Sequence, residues 1–100
     1  MPHGPVPHGL VPHAAVPAAA AALVAAQDAL RGTPFSREAL RAAVVRYGTV
    51  CADAGALASE LTGALDAALG PTLARFPDPV AAELRVHVAW WAAHGYYRAD

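Results

Sequence analysis

From residue 17 onward, apolar side chains return at steps of three and four, the spacing of amphipathic helices, and breaker residues divide the chain into four such stretches. Pro17 suits a first helical position, and the Ala-rich run that follows has high helix propensity until Gly32 and Pro34 close it. This first helix, about 18–31, has only Leu23, Val24 and Leu30 as larger apolar residues, so close but weak packing is expected. The second, about 36–54, begins at Ser36, a good N-cap, with Glu38 in a first turn that favours an acid. Leu40, Ala43, Val44, Tyr47, Val50, Cys51 and Ala54 share one stripe; Gly48 weakens its middle and Gly55 terminates it. The third, about 57–69, carries Leu57, Leu61, Leu65 and Leu69. A strict four-residue step drifts around a helix of 3.6 residues per turn, so this stripe should wrap across its partner. Gly70-Pro71 is expected to end it, leaving residues 72–76 for one further turn before Pro77.

The fourth helix, about 79–97, is announced by Asp78 as N-cap and Pro79 at the first position. It carries two apolar stripes: Val80, Leu84, Val88, Trp91 and Gly95 form one, and Val86, Trp90, Ala93 and Tyr97 form the other. At ~100° per residue the two lie well apart, so Trp90 and Trp91 cannot face the same neighbour. One stripe enters the core. The other needs cover, either from its own bundle, if this helix is central, or from another chain. Val86, Trp90, Ala93 and Tyr97 are therefore the candidate interface, with a protein partner or a second copy as the expected occupant.

The periodicity is different before residue 17. Residues 2–6, 7–11 and 12–16 read PHGPV, PHGLV and PHAAV, with proline at 2, 7, 12 and 17. Prolines at that spacing remove backbone donors and push their predecessors out of the α region. An extended, disordered Pro/His-repeat tail over 1–16 is expected, ahead of a helical domain over 17–100.

Composition sharpens the picture of the core. Hydrophobic residues are 56% of the 100, but 27 are alanine and only 22 are Leu, Val or Phe. Small side chains remove little area from water at ~25 cal/mol per Å², so the core is thin and association is a natural way to complete it. The fold class expected is all-α: a small Ala-rich bundle of three to four helices. Four of the seven aromatics, Trp90, Trp91, Tyr96 and Tyr97, lie in the last 11 residues with Arg98 beside them, and an Ala-rich core needs some of that mass.

Charge removes other functions. Net charge is −1, lysine is absent, and the arginines at 31, 37, 41, 46, 75, 85 and 98 are interleaved with acids. A nucleic-acid partner calls for clustered cations, so none is expected. The lone Cys51 permits no internal disulfide and no paired zinc ligands, and it falls on an apolar face. No run is long and apolar enough for a membrane span. A Val24-Ala25-Ala26 cleavage pattern lacks the basic start and unbroken apolar run of an export signal, so a cytoplasmic location is expected.

Histidine supplies the one alternative chemistry, a small metal- or haem-associated protein. His3, His8 and His13 recur in the tail, where neighbouring imidazoles of an extended chain stand roughly 15 Å apart. The Met1-Pro2-His3 start resembles an amino-terminal copper or nickel site, but Pro2 lacks the amide that site deprotonates. His87 and His94 are separated by roughly 10 Å of helix rise, too far to share one ion. Each is expected to pack its ring and turn a nitrogen to solvent or a carboxylate, Glu83 standing four residues before His87. No cofactor is expected in the main reading. No nucleophile elbow, phosphate-binding loop or H-E-x-x-H occurs, and Ser36 is taken by capping, so no enzyme is expected. A phosphotransfer histidine would need exposure among small or basic residues, which His87 and His94, amid Val86, Val88, Trp90, Trp91 and Tyr96, do not have.

Overall fold

The computed structural model describes residues 17–98, and 83% of these are helical, with no strand among them. The four helices are α1 (Pro17–Arg31), α2 (Arg37–Asp53), α3 (Ala58–Leu73) and α4 (Asp78–Tyr97). The Pro/His repeat over 1–16, with the tail expected there, lies outside the described residues.

Local chemistry sets most of the boundaries. Ser36 Oγ accepts from the Ala39 N–H at 3.1 Å and starts α2. Beyond its end Gly55 takes φ +83°, a conformation that costs a glycine nothing. Leu57 precedes α3 and donates its N–H to Glu60 Oε1 at 3.1 Å, an acid three residues on reaching back to the cap. Pro77, one residue earlier than expected, caps α4, and Asp78 and Pro79 form its first turn.

α3 departs from expectation at both ends. Leu57 is 61% exposed and outside the helix, so it does not belong to the leucine stripe. Gly70-Pro71 does not end the helix, which runs through to Leu73. Pro71 is two residues from that end and forfeits one hydrogen bond, to the carbonyl of exposed Ala67. The extra turn places Leu73 at 2% exposure in line with Leu61, Leu65 and Leu69. Burying a leucine stabilises by about 1.5–3 kcal/mol, more than one helix hydrogen bond near a terminus contributes.

α2 is the centre of the bundle, packing most extensively on α4 and on α1, while α3 closes against α1 and α4. Its Leu40, Val44, Tyr47 and Cys51 are fully buried, joined by Leu69 and Leu84. α1 packs through Ala19, Ala22, Ala26 and Leu30 rather than its larger Leu23 and Val24, of which Leu23 is half-buried and Val24 exposed. α2 and α4 cross at Gly48 and Gly95, where Thr49 Oγ1 donates to the carbonyls of Val45, at 3.1 Å, and Gly95, at 3.2 Å.

Candidate interaction surface

α4 enters the core through Ala81, Leu84, Val88, Ala92 and Gly95, at steps of three and four. Ala81 stands where Val80 was expected, and Val80 is exposed because it falls off the centre of that stripe. At 100° per residue the line Val86, Trp90, Ala93, Tyr97 lies about 170° around the helix from the core face. Val86, Trp90 and Tyr97 are 60%, 70% and 67% exposed, and Ala93 is exposed with them. A helix apolar on both sides belongs in an interior, yet this one has a neighbour on one side only within the described chain.

The C-terminal end of the stripe is held firmly. The Tyr96 hydroxyl donates to the Ala56 carbonyl, tying the end of α4 to the α2–α3 turn. The Tyr97 ring meets the Tyr96 ring edge-on, centroids 4.9 Å apart and planes at 83°. Trp91 is half-buried, and its ring stacks on His87 at 5.4 Å and 15°. Trp90 and Trp91 both line an open cleft with Arg41, Val45, Ala93 and His94, so the two indoles share a neighbour contrary to expectation. They differ in burial, Trp90 being 70% exposed and Trp91 half-buried.

Charge on this helix is sparse. Its formal charges are Asp78, Glu83 and Arg85. Arg37 of α2 reaches across, with Nη2 3.8 Å from Glu83 Oε2 and Nη1 2.9 Å from His87 Nδ1. A guanidinium only donates, so Nδ1 is the acceptor and carries no proton. His87 Nδ1 therefore faces an arginine that also reaches Glu83, rather than Glu83 itself. His94 is exposed. Among the described residues no three metal-capable side chains come together. His3, His8 and His13 lie outside the described residues. Among the described residues, no helix is long and apolar enough to cross a membrane.

Two further features escaped the sequence pattern. Ala19, Ala20, Leu23, Val24 and Gln27 of α1 face Ala64, Ala67 and Ala68 of α3 across an open apolar groove floored by Tyr47. Gln27 Nε2 spans it, donating to the Ala68 carbonyl at 3.2 Å. Alanines line both walls, and an alanine run carries no periodic contrast to reveal a face. Beneath, burial pushes the Cys51 thiol above its ordinary value, with a smaller opposing effect from its hydrogen bond to Tyr47. The Tyr47 phenol is pushed up as well, chiefly by burial and then by Cys51. Comparison with family models, curated proteins and solved structures finds no match to this chain.

Proposed function

We propose that this is a small, non-catalytic helical interaction protein that self-associates through the outward face of α4. The observation that carries the reading is the collinear exposure of Val86, Trp90 and Tyr97 directly opposite the core face of the same helix. Isolated exposed apolar residues are ordinary. A continuous row containing an indole and a phenol, on a helix with so few charges, is an interaction surface. Aromatics also dominate the energetics of protein interfaces, because each removes 150–250 Å² from water at little entropic cost. The alanine-lined core gives the chain a further reason to associate, since each copy alone hides little apolar area.

Sedimentation equilibrium on the full chain and on Trp90→Glu tests the reading. The wild type is expected to dimerise at micromolar concentration, and the variant to remain a folded, helical monomer. A wild type that stays monomeric at several hundred micromolar would falsify self-association.

A further inference from the structure

We infer that two copies pair α4 against α4 in an antiparallel sense, about a two-fold axis passing between residues 91 and 92. The inference rests on the self-association reading and adds its geometry. Trp90 and Ala93 are equidistant from that midpoint, and so are Val86 and Tyr97. Reversing the second helix lays Trp90 over Ala93 of the second copy and Tyr97 over its Val86. Each large ring then meets a small side chain, and the contact is repeated by symmetry. Parallel pairing stacks Trp90 on its own copy and Ala93 on its own copy, a bulge beside a void that close packing disfavours.

The helix dipoles oppose one another when the second copy is reversed. The overlap runs over about residues 86–97, and the row covers on the order of 500 Å² per copy, the low end for specific interfaces.

A nitroxide at Ala82→Cys, in a Cys51→Ala background, reads the sense directly by pulsed electron resonance. Ala82 is exposed and lies beyond the overlap. Antiparallel copies place the two labels about 30 Å apart at 1.5 Å per residue. Parallel copies place them within about 15 Å, the interaxial spacing plus the label arms. A dimer with the long distance supports the inference. A dimer with the short distance overturns the antiparallel sense and leaves self-association standing, whereas a monomer overturns both. Should Cys51→Ala fail to fold, the label can be attached with the native thiol in place, because that thiol is buried.

Discussion

Gly48 and Gly95 line the crossing of α2 and α4 from opposite sides, each set against the backbone of the other helix where a side chain has no room. A Cβ on Gly48 would press on the Ala92 carbonyl oxygen and lie 2.9 Å from the Tyr96 nitrogen. A Cβ on Gly95 would press on the Val45 carbonyl oxygen and lie 3.1 Å from the Thr49 nitrogen. The obstacles are backbone atoms, which cannot rotate away, so this contact sets how closely the two helices approach. Because the outward stripe is fixed to the opposite side of α4, the same crossing also decides that Trp90 points to solvent.

Gly95→Ala is therefore expected to destabilise the chain by about 2 kcal/mol or more, with the ~1 kcal/mol gain in helix propensity overwhelmed by the clash. Gly63→Ala is the control. Gly63 is an exposed position inside α3 with nothing within 4 Å of an added Cβ, so alanine there should stabilise by about 0.5–1 kcal/mol. Urea melts of the two variants should move in opposite directions. Equal shifts would show that the glycine crossing is not close-packed.

The pair Tyr47 and Cys51 predicts alkaline sensitivity. Burial raises the folded-state pKa of the thiol above its ordinary 9.0, and that of the phenol above its ordinary 10.0. An acid whose folded pKa is raised keeps its proton longer folded than unfolded, so its contribution is complete below the unfolded value and declines as pH rises past it. Stability should be level through neutral pH and fall from about pH 9 upward, and Cys51→Ala should shift the onset of that fall toward the tyrosine range. The same burial makes Cys51 inert to thiol reagents in the native state. Its reaction with a disulfide reagent should appear only with unfolding, and fast labelling of the folded chain would contradict its placement.

Pro71 offers a third test, at the point where α3 outruns its expected end. Pro71→Ala restores an N–H for the Ala67 carbonyl and keeps Leu73 in line with Leu69. A gain of about 1 kcal/mol is expected, read from the thermal midpoint together with unchanged helicity by circular dichroism. A loss would mean that the proline is required to shape the turn into α4.

These cases mark how far the residue pattern could be read. Ser36, Gly55 and the outward stripe of α4 act through rules local to a turn or a face, and they stand where the spacing puts them, whereas Ala81 and Ala92 hold the core places expected of Val80 and Trp91. Gly70-Pro71 departs from its local propensity because burial nearby outweighs it: Leu73 carries α3 past the proline. Glu60, three residues after Leu57, is the sign that could have moved Leu57 out of the helix. The groove between α1 and α3 is formed by alanines, and alanine is equally at home on either face, so only three-dimensional packing distinguishes them. The glycine crossing was visible only as a weakness in α2, because the partner of Gly48 is 47 positions away in the chain.

The two indoles supply the last prediction. Trp90 is 70% exposed, its ring 6.5 Å from that of His87, so Trp90→Ala should change the stability of the monomer by no more than about 0.5 kcal/mol. Trp91 is half-buried and stacked on His87, and Trp91→Ala should cost about 1.5–3 kcal/mol through lost burial and lost stacking. Fluorescence separates their surroundings as well. In Trp91→Phe the remaining indole is Trp90, which should be readily quenched by acrylamide at nanomolar protein concentration and progressively shielded as concentration rises into the micromolar range. In Trp90→Phe the signal comes from Trp91, whose quenching should be weaker and independent of concentration. Concentration-dependent shielding in the Trp91→Phe chain alone is the pattern required if the outward face of α4 is where two copies meet; quenching of Trp90 that stays constant across that range would place any association elsewhere on the surface.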